Sequence, residues 1–73
     1  MKYLVSYLDE DGISRQRTFE AKAIDIDLGD VIMQWIDEEY DVDSQTDGID
    51  VWYDNGEEQV ILMHITDIEE SWT

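Results

Sequence analysis

The chain has no cysteine, no proline, four glycines and four basic residues among its 73 positions. Without cysteine, disulfide staples, zinc fingers and thiol nucleophiles are excluded. No apolar run approaches the roughly 20 residues of a membrane span. Ser6 and Asp9 interrupt the apolar stretch after Met1, which leaves no signal-peptide core, so a cytoplasmic protein is expected. The length allows one small domain, residues 1–73, and is too short for a Rossmann fold or a barrel enzyme.

Against the 4 basic residues stand 20 acidic ones, for a formal net charge of −16. Residues 1–22 hold every Lys and Arg (Lys2, Arg15, Arg17, Lys22) together with Asp9, Glu10, Asp11 and Glu20, and so net to zero. Residues 23–73 hold the other sixteen acids and no Lys or Arg. Such a surface repels nucleic acid and anionic membrane, which argues against direct binding to either. The chain is not thereby disordered. It has nine Ile, five Val, three Trp and four Tyr, and these recur in periodic blocks between turn signals.

Tyr3 to Leu8 reads as a strand. Asp11-Gly12 supplies a hairpin turn, and Ile13 to Glu20 is the return strand, with Ile13, Arg15, Arg17 and Phe19 on one face. Its weak apolarity marks an edge strand, where Arg15 and Arg17 discourage edge-to-edge pairing. Asp27 is the expected N-cap of a helix over 28–40, in which Leu28, Val31, Ile32, Trp35, Ile36 and Tyr40 recur at helical spacing. Asp30, Gln34, Asp37 and Asp41 line its opposite side, and Glu39 is a misfit on the apolar side. Ile49 to Tyr53 alternates as a strand, with Trp52 opposite Ile49, Val51 and Tyr53. Asn55-Gly56 is a strong hairpin signal. Glu58 to Thr66 is a fourth strand, apolar on both faces as in a central strand covered on both sides. Asp67 to Thr73 reads as an acidic tail.

The expected fold is α+β, a ββαββ domain with a four-stranded antiparallel sheet and one helix packed on one face. One helix covers one face only. The other is expected to expose Trp52 and either Leu62 or Met63, an apolar patch suited to a homodimer or partner, unless the tail folds back with Ile68 and Trp72. Trp52, Leu62 and Trp72 are therefore the apolar interface candidates.

Catalytic constellations are thin. His64 is the only histidine and lies in the most apolar strand. Ser6, Ser14, Ser44 and Ser71 have no nearby base. A pairing such as Asp50 with Glu58 is expected by chance among so many acids. Gly12, Gly29, Gly48 and Gly56 are scattered and form no phosphate loop. No catalytic residue, cofactor or metal is assigned, and the chain reads as a non-enzyme. Asp43-x-Gln45-x-Asp47-Gly48 followed by Asp54 nearly matches a calcium loop. Gln45 and the short Asp54 depart from that pattern, Asp50 sits where an aliphatic residue belongs, and the segment after it reads as a hairpin.

Charge density is the most informative feature. Duplex DNA carries one charge per about 1.7 Å, so sixteen charges correspond to about 27 Å of duplex, against a diameter of roughly 29 Å for a compact chain of this size. Asp30, Asp37, Glu38 and Asp41 on the helix, Asp50 and Asp54 on a strand, and Glu57 and Glu58 at the hairpin have spacings that imitate phosphate rows. In size, in the all-acidic segment 23–73 and in lacking catalytic motifs, the chain resembles the small acidic DNA-mimic inhibitors of phages and mobile elements: anti-restriction proteins, anti-CRISPR proteins and inhibitors of DNA glycosylases. The resemblance covers the chain in composition only. It implies a stoichiometric inhibitor in the host cytoplasm. Such an inhibitor occupies the basic groove of a nucleic-acid-binding defence or DNA-processing protein, for example a CRISPR effector. Two other readings stay open. One is an acidic protein–protein module or homodimer using the apolar sheet face, and the other is a charge that serves solubility or a halophilic cytosol.

Overall fold

A computed structural model describes residues 1–24 and 26–71. The element order is β1 (Lys2–Asp9), β2 (Ser14–Glu20), α1 (Ile26–Tyr40), β3 (Gln45–Thr46), β4 (Asp50–Asp54) and β5 (Gln59–Ser71). The strands form one antiparallel sheet in the order β2-β1-β5-β4-β3. The fold is α+β with a single helix among the described residues, and β2 is an edge strand, as its composition suggests. Among the described residues the sheet has five strands, not four, and the chain order is ββαβββ. The additional β3 is only two residues of polar sequence, too short to show alternation.

The turns are built from their own side chains. In the β1–β2 turn, Asp9 Oδ1 accepts the Asp11 and Ile13 amides, each at 2.9 Å, and Gly12 takes φ 77°, open to glycine without penalty. In the β4–β5 turn, Asn55 Oδ1 accepts the Glu57 and Glu58 amides, and Asp54 Oδ1 accepts that of Gly56.

The core lies between α1 and one face of the sheet. Tyr3, Val5 and Tyr7 alternate inward from β1, Phe19 joins them from β2, and Leu28, Ile32 and Ile36 descend from the helix four residues apart. Val51, Leu62 and Met63 complete it. Each such side chain contributes about 1.5–3 kcal/mol by leaving water. Trp35 stands edge-on against Tyr7 and Phe19, with ring centroids at 6.5 and 5.6 Å, and ties the helix to the β1–β2 hairpin.

Three expectations are corrected. The helix begins at Ile26, so Asp27 lies in its first turn and is not the N-cap. Asp67 to Ser71 is not a tail. It continues β5 and pairs with β1, from Ser6↔Asp67 to Lys2↔Ser71, and Ile68 enters the helix side opposite Val5. The apolar run in β5 does not signal cover on both faces. A register shift makes Leu62 an extra residue between the partners of Val51 and Trp52, so the neighbours Leu62 and Met63 are both buried. A second shift leaves Thr66 extra between the partners of Ser6 and Tyr7. Among the described residues the other sheet face carries no helix. There Leu4, Leu8 and Trp52 are half-buried outside the core, and Ile61 is 50% exposed.

Candidate partner-binding surface

The last turn of α1 carries no basic residue, and Glu38, Glu39 and Asp41 crowd the end where the helix dipole is already negative. The helix closes with a Schellman-type bond from the Val42 amide to the Asp37 carbonyl at 3.4 Å, and Asp41 takes the left-handed conformation at φ 55°. The chain then turns back along the helix. The Ser44 amide donates to Asp37 Oδ1 at 2.8 Å, and the Ser44 hydroxyl donates to the Met33 carbonyl at 3.3 Å. The Thr46 methyl lies 3.6 Å from where a Cβ on Gly29 would stand. A Cβ at position 29 would therefore meet that return strand at ordinary van der Waals distance.

These contacts divide the candidate acids. Asp30, Glu38 and Asp41 are exposed along the free side of α1, joined by Asp27. Asp37 is not part of that row. It is half-buried and its carboxylate anchors the returning loop, because position 37 faces the flank where residue 44 passes. Asp54, Glu57 and Glu58 gather at the β4–β5 turn, with Asp54 holding the turn itself. Asp50 stands apart on the open sheet face, where the His64 ring Nδ1 lies 2.6 Å from its Oδ1.

The strand directions place the β1–β2 and β4–β5 turns at the same end of the sheet. The C-terminus of α1 arrives there too, since Glu39 and Tyr40 line a recess with Glu10 and Asp11. Tyr40 reports the resulting field. Its hydroxyl is held above its usual pKa, first by partial burial and then by Glu10, Tyr7, Asp9 and Glu39. Glu10, Asp11 and Glu39 are acids that sequence reasoning did not assign to the surface. The first two sit in the charge-neutral segment, and the third reads as a misfit.

Of the apolar candidates, Trp52 lies on the open face as expected. Leu62 is 2% exposed and cannot meet a partner; the bulge turns it inward and leaves Ile61 outside in its place. Trp72 lies outside the described residues.

The calcium-like spacing is absorbed into a hairpin. Asp47 Oδ1 accepts the Ile49 and Asp50 amides, and Gly48 takes φ 98°. Those bonds, led by the one from Asp50, lower the Asp47 pKa. Among the described residues no group of three or more His, Asp or Glu side chains is arranged to hold a metal ion. No helix among them is long and apolar enough to cross a membrane.

The molecule is longer than a compact sphere of its size, with extents of 41 × 23 × 19 Å, because β5 runs for 13 residues. Sixteen net charges over 41 Å give one per about 2.6 Å. The duplex has one per about 1.7 Å and each of its strands one per about 3.4 Å. The density thus falls between the two and below the sequence expectation. Comparison of the chain with protein-family models, with curated proteins and with solved structures gives no match.

Proposed function

We propose that the chain is a non-enzymatic DNA-mimic inhibitor that occupies the nucleic-acid groove of a basic defence or DNA-processing protein, for example a CRISPR effector. The observation that carries this reading is the acidic ridge from Asp27 and Asp30 through Glu38 to Asp41. It has no cation on the helix and ends on the negative helix terminus. Acids at that terminus cost about 0.3–1 kcal/mol each and contribute nothing to folding. A basic groove supplies the compensation that the fold does not. Association is then steered by long-range attraction and weakened by salt.

The test is capture of a target from a bacterial lysate with tagged protein, at low and moderate salt, with and without competing duplex DNA. Wild type is expected to retain a nuclease, glycosylase or CRISPR complex that salt or DNA displaces. The triple variant Asp30→Lys, Glu38→Lys, Asp41→Lys is expected to lose it while still folding. Asp37 is left untouched because the loop depends on it. Full capture by the triple variant would remove the acidic-ridge reading.

A second reading, an acidic interaction module, rests on the open face, where Trp52 and the exposed Ile61 pair across β4 and β5. It predicts a partner indifferent to DNA and salt, and lost in Trp52→Ala.

A further inference from the structure

We propose that β2 is a self-association edge, through which two copies pair antiparallel about a two-fold axis to continue the sheet. Four observations support this. The first is the direction of the backbone groups. Met1 and Ala21 exchange two bonds, and the Asp9 amide donates to the Ile13 carbonyl, so the odd-numbered residues of β2 bond to β1. Ser14, Gln16, Thr18 and Glu20 therefore aim their amides and carbonyls outward, a ladder with no partner strand among the described residues.

The second is the absence of the usual guards. Edge strands are normally blunted by bulges, prolines or outward cations. The pairing of β2 with β1 has no register shift, and the chain has no proline. The cations that would guard the edge are held over the helix side. Arg15 Nε donates to Asp9 Oδ2, and the Arg17 guanidinium stacks 4.5 Å from the Trp35 ring centroid. Arg15 and Arg17 thus do not play the blocking role their positions in the sequence suggest.

The third is charge. Two chains of net −16 repel over most of their surface, but residues 1–22 net to zero and β2 itself carries two Arg against one Glu. This hairpin is where a second copy approaches at least electrostatic cost.

The fourth is fit. In the full overlap, Ser14 faces Glu20 of the second copy and Gln16 faces Thr18, all on the open side. Arg15 faces Phe19 on the helix side, and Arg17 meets its own counterpart with each guanidinium drawn away to Trp35. The occupant is a second copy because the contact is self-complementary in this register.

Sedimentation over a concentration series, at ~0.05 M and ~0.5 M salt, tests the proposal. Salt is expected to promote the dimer, the reverse of its effect on the basic partner, with the mass approaching twice the 8.6 kDa chain. Thr18→Pro removes an outward amide and leaves the β1 pairing intact, and should weaken association at least tenfold with the helix signal unchanged. Amide exchange in the wild type needs no variant. Ser14, Gln16, Thr18 and Glu20 should slow as concentration rises, while Arg15, Arg17 and Phe19 stay constant. A chain that remains monomeric at ~1 mM and high salt would overturn the proposal. So would a dimer lost in Trp52→Ala and not in Thr18→Pro. Open-ended assembly would also overturn the two-fold, since it means that β2 pairs with a different edge.

Discussion

Asp9 shows how much one carboxylate does in a chain with few cations. It accepts two turn amides and the Arg15 guanidinium, and Arg15, first among these, holds its pKa below the ordinary value of 3.8. Asp47 is lowered from the same 3.8 by the backbone amides of its own turn. The sign follows directly. A folded-state pKa below the unfolded one contributes stability above about pH 3.8, lost as pH falls through the lower folded value. Asp9→Ala is expected to lower the melting temperature at ~pH 7, and the deficit relative to wild type should shrink towards ~pH 2. Thermal unfolding of both proteins across that range checks it. Asp41 carries the opposite lesson. Asn keeps its tolerance of the φ 55° conformation and removes charge from the helix C-terminus. Asp41→Asn should therefore stabilise the fold by about 0.3–1 kcal/mol in urea unfolding while weakening partner capture. A stabilisation with no loss of capture would take Asp41 out of the ridge.

At the scale of elements, the bulges decide which side chains point where. Val60 to Ile65 reads in sequence as a strand covered on both faces, yet only one face is covered. The extra residue at Leu62 turns two consecutive side chains inward, which strict alternation forbids. Met63→Ala is expected to cost about 2–5 kcal/mol, since Met63 has no exposure to lose. Ile61→Ala should change stability by no more than about 0.5 kcal/mol. Urea unfolding of the two variants checks the bulge, because in an unbulged strand Ile61 and Met63 would share a face and cost similar amounts. The helix was far more legible. Leu28, Ile32 and Ile36 recur at the spacing that buries one face, and α1 exceeds the expected 28–40 by only two residues. The turns at Gly12 and at Asn55-Gly56 were legible for the same reason, because their chemistry is local. The role of Asp37 was not. Its period places it among the surface acids, and only the path of residues 41–44 turns it into a loop anchor.

For the whole molecule, charge sets two responses of opposite sign. Salt screens the self-repulsion of sixteen net charges, so the melting temperature should rise between ~0.05 M and ~0.5 M salt. The same screening should weaken capture of a basic partner. Melting curves and capture at matched salt measure both, and a melting temperature that falls with salt would show that attractive pairs, not repulsion, dominate the field. The pairs within hydrogen-bonding distance are few. Asp9 with Arg15 and Asp50 with His64 are those among the described residues.

Composition alone settled the net charge, its confinement to residues 23–73, and the lack of cysteine chemistry. Local pattern settled the helix, the hairpin turns and the edge character of β2, because each depends on neighbours within a few residues. Tertiary structure decided the rest. It placed Asp67–Ser71 in β5 beside β1, turned Leu62 inward and Ile61 outward, withdrew Asp37 from the acidic row, and stretched the molecule to 41 Å. Each of these depends on pairing between residues far apart in the chain, where register and bulges, not local preference, choose the partner.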